Sequence, residues 1–372
     1  MSSLYLHIPF CHHRCLYCAF YSEVRRQDTT PYVEALKKEI KDRKNFIDNN
    51  LKTIYFGGGT PSLLTLKQVE DIFFTIENCF DTSKVEEITF EINTENASEN
   101  YLKGLKEIGV NRLSIGVESF NDKVLHFLNR THTAEESITA IMTAKKVGFD
   151  NISIDLMSNL PNFSFEQWRE TLQIALRMNV PHISCYTLMI EENTMLDKLI
   201  KIGKLHPISE NQAIQEFDYT MDLLEKNNYL HYETSSYAKR GFQSQHNMNY
   251  WDKQSSYLGV GTAAHSYSNG WRMWNKENIN EYIAAVTCGN YSIIEGHEIL
   301  SDKDNFNEYI MLSCRLPKGL NREYVKKNFP KYYSDFDRKI DECIKNGFLL
   351  SDLSLTRQGW HLQDELIVNL LA

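Results

Sequence analysis

Between residues 4 and 190 the chain repeats one pattern six times: a short apolar run, a polar or glycine-containing exit, then a stretch with apolar residues at helical spacing. The apolar runs are Leu4–Pro9, Thr53–Phe56, Glu87–Ile92, Arg112–Val117, Asn151–Met157 and His182–Leu188. Val, Ile, Phe and Tyr dominate them, and most are apolar on both faces. That suits parallel strands buried on both sides better than an open antiparallel sheet. The helices between them signal their starts. Thr30-Pro31 predicts an N-cap followed by proline at the first helical position. Capping boxes are predicted at Thr65–Gln68, Thr133–Glu136, Ser164–Gln167 and Ser209–Gln212. Val33, Leu36, Ile40 and Ile47 form one stripe of the first helix.

Six such units predict parallel strands joined by right-handed crossovers. A doubly wound sheet and an incomplete TIM-like (β/α)6 barrel both fit. Either places ligands at the C-terminal ends of the strands. Beyond about residue 205 the rhythm changes. A long helix over 209–227 leads into a Tyr-, Ser- and Gly-rich stretch, 229–275. The last 70 or so residues predict a small helical or winged-helix module, with Phe336, Ile340 and Ile344 on one stripe and a short hairpin across Phe348–Thr356. The expected division is a barrel over 1–205, a connector over 206–298 and a C-terminal helical, winged-helix-like domain over 299–372.

Composition is that of an ordinary globular protein, and 372 residues suffice for a large core. A formal charge of −9 argues against a general affinity for nucleic acid or an anionic membrane. No apolar run is long enough to span a bilayer. The N-terminus lacks the basic-then-apolar pattern of a signal peptide. Cys79, Cys185, Cys288, Cys314 and Cys343 are scattered without disulfide-like regularity, which suits a reducing, cytoplasmic setting.

The candidate chemistry starts just after the first strand. Cys11, Cys15 and Cys18 stand in a C-x3-C-x2-C spacing, close enough to converge on a soft metal centre. A [4Fe–4S] cluster normally takes four thiolates, so three would leave one iron open. Structural zinc, with His7, His12 or His13 as fourth ligand, is the plain alternative. After the second strand, Gly57-Gly58-Gly59-Thr60-Pro61 is a turn that lets backbone approach a ligand; an ordinary βα turn is an even alternative. Glu91, Glu118 and Asp155 fall at or near the ends of strands three, four and five. Buried there, they need partners. They would hold hydroxyl and amino groups of a small molecule, or pair with Arg112 or Arg130. Finally, His246-Asn247-Met248-Asn249-Tyr250-Trp251 gathers an imidazole, an amide and two large aromatics. This could be a haem-ligating segment or a core loop with a satisfied histidine. His265 is a weaker second candidate.

Taken together, these features resemble the radical S-adenosylmethionine (SAM) superfamily. Within it they are most similar to the oxygen-independent coproporphyrinogen III oxidase-like family, in its HemW-type haem chaperone branch. The resemblance runs over nearly the whole chain. Its most specific pieces are Y-x-H-I-P-F-C-x3-C-x-Y-C (Tyr5 to Cys18), Y-F-G-G-G-T-P (Tyr55 to Pro61), Leu128-Asn129-Arg130-Thr131-His132, and H-N-x-x-Y-W (His246 to Trp251). It implies a [4Fe–4S] cluster on Cys11, Cys15 and Cys18, with the amino and carboxylate groups of SAM on its open iron. Tyr5 and Tyr17 would line the cofactor, and Gly58, Gly59 and Thr60 would contact its methionine end. Glu91, Glu118, Arg130 and Asp155 fall on SAM-binding positions, and His246 on the haem-associated motif. A reduced cluster would pass one electron to the sulfonium and release a 5′-deoxyadenosyl radical. The implied partners are haem, haem-acceptor proteins such as respiratory haem enzymes, and a one-electron donor, with room for peripheral membrane contact.

Departures from the pattern steer the expectation. The oxidases carry a fourth cysteine two residues after the third; here that position is Phe20. They also carry an extension ahead of the cysteine loop. Glu118 stands where relatives usually have glutamine, and Ser158-Asn159 where they often have Tyr-Gly. Haem transfer is therefore the leading expectation, and oxidative decarboxylation of a porphyrinogen in porphyrin biosynthesis the alternative.

Overall fold

The structure is a computed structural model and describes residues 2–24, 28–192, 194–253, 255–289 and 293–372. The six apolar runs form β1 (Ser2–Ile8), β2 (Leu51–Gly58), β3 (Glu87–Asn93), β4 (Arg112–Glu118), β5 (Asn151–Ser158) and β6 (His182–Thr187). They lie side by side in chain order, each parallel to the next. A doubly wound sheet would reverse its strand order at a switch point. The unbroken order selects the partial barrel.

Two groups of later strands extend this sheet, and the sequence pattern did not reveal them. β7 (Leu230–Glu233) and β8 (Ser236–Ala238) add antiparallel strands beyond β6. β9 (Ser256–Val260) returns across the molecule to pair in parallel with β1, placing Tyr257 opposite Ser3 and Gly259 opposite Tyr5. β10 (His265–Ser268), β11 (Trp271–Asn275) and β12 (Ile294–Ile299) follow it as an antiparallel meander. Among the described residues the order is β12-β11-β10-β9-β1-β2-β3-β4-β5-β6-β8-β7.

Crossover helices α1 (Thr30–Arg43), α2 (Leu66–Cys79), α3 (Glu99–Ile108), α4 (Ala134–Val147) and α5 (Phe165–Arg177) connect the strands. Their inward stripes, such as Val33, Leu36 and Ile40 or Val69, Ile72 and Ile76, join Leu4, Leu6, Ile54, Phe56 and Phe90 in one core. The capping boxes at Thr65, Thr133 and Ser164 form as expected. Three local expectations shift. Thr30 is already helical, so the cap position is Thr29, and Asp28 Oδ1 accepts from the Thr30 amide at 2.9 Å. Ile47 is buried but lies past the end of α1. Ser209 caps α6 (Glu210–Lys226), yet Gln212 turns its amide to the Phe163 carbonyl and to Glu216 instead of back to the cap.

The end of the barrel where the strands begin is closed by a short helix, Gln245–Trp251. The Glu87 carboxylate accepts from the amides of Gln245 at 2.9 Å and His246 at 3.0 Å, satisfying donors at a helix start. Glu87 and Arg112 are both almost fully buried, and Thr89 bridges them by hydrogen bonds to each. Near the C-terminus, Phe306, Ile310, Phe336, Ile340 and Leu366 belong to a separate apolar cluster. The expected hairpin there is a single bridge between Leu349 and Leu355. None of the helices among the described residues is long and apolar enough to cross a membrane.

Glu87→Ala should remove the acid that most favours the buried Arg112 cation, leaving the Asp155 carboxylate acting on it, and strip the short helix of its acceptor. We expect a loss of about 3 kcal/mol or more in urea unfolding of the apo protein, with Glu87→Gln losing less.

Candidate functional site

The cysteine loop follows β1, and backbone bonds from three directions hold it. Phe10–Cys11 pairs with Glu23–Val24 as a short parallel ribbon. The Leu16 amide donates to the Leu128 carbonyl at 3.2 Å, and the Leu196 amide to the Leu16 carbonyl at 3.1 Å. Asn129, with φ of 61°, donates its side-chain amide to the Arg14 carbonyl at 2.8 Å. The 128–132 segment is therefore a clamp on the cysteine loop. Its motif likeness was legible in the sequence; the role of Leu128 and Asn129 was not, because it depends on which loop lies opposite.

The glycine turn leans against that loop. The Gly59 amide donates to the Ile8 carbonyl at 2.8 Å. A Cβ on Gly59 would come within 2.7 Å of the Phe10 carbonyl oxygen and 3.0 Å of Cys11 Sγ. The missing side chain is what permits the approach. Thr60 Oγ1 lies 3.7 Å from Cys11 Sγ.

Three acidic side chains complete the wall. Glu91 accepts from the Tyr55 hydroxyl at 2.7 Å and from the Gly58 amide at 3.2 Å. Glu118, at φ 61°, pairs with Arg130 at 2.8 Å. Arg130 also reaches Cys15 Sγ at 3.5 Å and the Gly116 carbonyl at 3.0 Å. Asp155 accepts from Ser114 at 2.9 Å. The salt-bridge reading of these acids holds for Glu118, which pairs with Arg130, and neither Glu91 nor Asp155 has an ion-pair partner among the described residues.

The cysteines, the glycine turn, the three acids and Arg130 border one cavity of about 470 Å³ at the C-terminal ends of the strands. Cys11, Cys15, Cys18, Tyr17, Gly58, Gly59, Thr60, Glu91, Glu118, Arg130 and Asp155 line it, and Asn93, which the sequence did not single out, joins them. Tyr5 and His246 do not. Tyr5 sits one layer below, its hydroxyl on His7 Nδ1 at 3.1 Å. His246 lies at the opposite end, in the helix that closes the barrel, with Nδ1 2.8 Å from Thr53 Oγ1 and Nε2 3.0 Å from the Tyr250 hydroxyl. Only about 1% of it is exposed, and burial lowers its pKa to about 3. Iron ligation there would require breaking one of those bonds. His265, on β10, is exposed and stacks beside Trp274.

Electrostatics fit a site built for polar, partly cationic groups. Burial raises Glu91 to about 7 despite the Tyr55 hydrogen bond. Burial also raises Glu118 and Asp155, with Arg130 opposing the rise at Glu118. The Cys15 and Cys18 thiols are pushed up by burial, and Arg130 works against this at Cys15. Arg130 Nε is buried without a hydrogen-bond partner, and Asp155 Oδ1 has none beyond the neighbouring Ser184 hydroxyl. Unspent polar atoms in a cavity wall are places for a ligand's own donors and acceptors. Among the described residues no three His, Cys, Asp or Glu side chains surround one point closely enough to share a single ion. Three thiols line the same cavity as the unpartnered Arg130 and Asp155 atoms. The residues therefore fit a thiolate-bound cluster beside a ligand carrying amino, carboxylate and hydroxyl groups.

Comparison with known proteins agrees with this geometry. A model of the radical SAM superfamily matches residues 5–193. The chain is 34% identical over 366 residues to a protein named heme chaperone HemW from Lactococcus lactis subsp. lactis (strain IL1403), covering 98% of this chain and 94% of the relative. It is 32% identical to the Bacillus subtilis (strain 168) protein of the same name, covering 98% of each. Among solved structures, the coproporphyrinogen III oxidase HemN of Escherichia coli, a radical SAM enzyme, superposes with a TM-score of 0.86 over 99% of this chain and 89% of that one, at 23% identity.

Gly59→Ala should push the glycine turn off the cysteine loop. Anaerobic reconstitution of this variant should yield a several-fold lower iron and sulfide content than wild type. Glu91 supplies a pH signature. Its folded pKa of about 7 exceeds the ordinary 4.5, so the folded state keeps the proton that the unfolded chain releases. The Glu91 contribution is complete below 4.5 and is lost as the pH rises through about 7. Urea midpoints of the apo protein should fall over that window, and Glu91→Gln should flatten the fall.

Proposed function

The chain belongs to the radical SAM superfamily and, within it, to the HemW haem chaperone family, and from that membership we propose that it binds haem and passes it to acceptor proteins. The observation that carries the reading is the convergence of three thiols, a glycine turn and buried acids on one cavity wall, in a chain that aligns with HemW proteins over 98% of its length.

Cys11, Cys15 and Cys18 would hold the [4Fe–4S] cluster, leaving one iron free for the amino and carboxylate groups of SAM. When bound, cluster and SAM supply one-electron cleavage of a carbon–sulfur bond. The protein's part is placement. Gly58, Gly59 and Thr60 offer backbone and a hydroxyl at close range. Glu91 receives an amino group, Asp155 and Arg130 offer their unspent atoms to polar groups of the nucleoside, and Tyr17 forms the side wall. The Arg130–Glu118 pair fixes the guanidinium beside Cys15.

Haem needs a broad apolar face, and the mouth of the same cavity has one. Phe20 and Met189 are exposed by 71% and 67%, and Tyr186 is exposed as well. Phe20, Tyr186 and Met189 border the cavity together with His13 and Arg14, which bring a nitrogen ligand and a cation suited to a propionate. We place haem against this rim. Phe20 occupies the position where the porphyrinogen oxidases carry a cysteine, which favours haem handling over porphyrinogen decarboxylation. The remaining partners in this reading are a one-electron donor and acceptors such as respiratory haem enzymes, in the cytoplasm.

Titration of the anaerobically reconstituted protein with haem, followed at the Soret band, tests the reading. Saturable binding is expected, and Met189→Asp should weaken it about tenfold, the effect of one buried apolar side chain, without changing the iron content. No saturable haem binding, or a vinyl product from coproporphyrinogen with SAM and reductant, would overturn it in favour of the oxidase.

A further inference from the structure

The H-N-x-x-Y-W segment lies at the opposite end of the barrel from the cysteine loop, yet a continuous column of contacts joins the two. The helix Gln245–Trp251 enters with its first amides on Glu87. Asn249 donates to Ser3 Oγ at 2.7 Å, pinning the helix to the start of β1. Thr53 at the start of β2 donates its hydroxyl to Ser3 Oγ at 3.0 Å. His246 must then donate from Nδ1 to Thr53 and accept from Tyr250 at Nε2. The imidazole is thereby fixed as a neutral tautomer with both nitrogens in use.

The face of that ring packs on Tyr55, with centroids 4.8 Å apart and planes inclined by 32°. Tyr5 lies on the same column, 6.1 Å from Tyr55 and 6.4 Å from His246. Tyr55 turns its hydroxyl the other way, to Glu91 Oε1. The second Glu91 oxygen holds the Gly58 amide. Gly58 has φ of 109°, a left-handed conformation open to glycine, and a Cβ there would meet the His7 ring at 2.7 Å. Each link is a side chain gripped from both sides, so a shift at the bottom of the column has no slack to absorb it before the glycine turn.

We propose that His246 is a positioning residue for the SAM site: it braces Tyr55, which aims Glu91, which sets the Gly58 amide and the glycine turn at the cavity. This rests on the assignment of SAM to that cavity. It gives the H-N-x-x-Y-W segment a task other than ligating haem iron, and it explains a fully used imidazole far from the cavity mouth.

The test compares His246→Ala with the double variant His246→Phe/Tyr250→Phe. Phenylalanine keeps a ring against Tyr55 but cannot ligate iron, and the second change removes the hydroxyl left without its acceptor. Amide hydrogen exchange of the apo protein reports on Gly58 without any cofactor. In His246→Ala and in Tyr55→Phe it should accelerate about tenfold, the scale of one buried hydrogen bond, and in the double variant it should stay within about twofold of wild type. SAM affinity of the reconstituted protein should follow the same order, and His246→Ala/Tyr55→Phe should be no worse than Tyr55→Phe alone. The Soret position of bound haem should match wild type in all of them. Unchanged Gly58 exchange in His246→Ala would overturn the proposal. So would loss of the haem iron ligand, seen as a Soret shift, in both His246→Ala and the double variant. If wild type itself binds no SAM while the exchange results stand, the brace survives and the cofactor assignment falls.

Discussion

The Glu91 carboxylate, held between the Tyr55 hydroxyl and the Gly58 amide, is the contact on which the site turns. It ties β2 to β3 and fixes the glycine turn where a side chain would collide with the cysteine loop. A buried carboxylate with no ion-pair partner is costly, and the structure meets the cost with two directed hydrogen bonds, the field of Arg112 and a raised pKa. That leaves a group able to accept a cationic amino group from a ligand. An ion pair in the same place would have spent that capacity.

The barrel interior is not an oily plug. Its lower layer is polar: Ser3, Thr53, Glu87 and Arg112 stand at the starts of successive strands, and the helix from Gln245 to Trp251 closes over them. Each buried donor there finds an acceptor with few exceptions, Arg112 Nε among them. A network of this kind specifies position more sharply than apolar packing, since each bond has a direction. In the upper layer, where the cavity lies, the acids and Arg130 are bonded as well, and Asp155 Oδ1 and Arg130 Nε are the atoms left over.

The cavity mouth adds the third ingredient. Phe20, Tyr186 and Met189 stand exposed around an opening lined by thiols and acids. Phe20 belongs to both the cysteine motif and the rim: it stands two residues after Cys18, where a fourth thiol would have pointed to porphyrinogen chemistry, and it borders the opening.

Much of this was written in the order of residues. The six apolar runs named the six central strands to within a few positions, because strands buried on both faces need a continuous apolar stretch. The cysteine spacing, the glycine turn and the acids at strand ends named the cavity wall, because a βα unit delivers whatever follows its strand to one end of the barrel. The sequence could not tell that Tyr5 and His246 stand behind or below that wall, that Asn129 clamps the cysteine loop, or that β9 returns to pair with β1. Those facts depend on which distant segments come to lie side by side. Local pattern determines the element and the end of the barrel it serves; long-range packing alone decides which side chains face the cavity and which are spent holding up the ones that do.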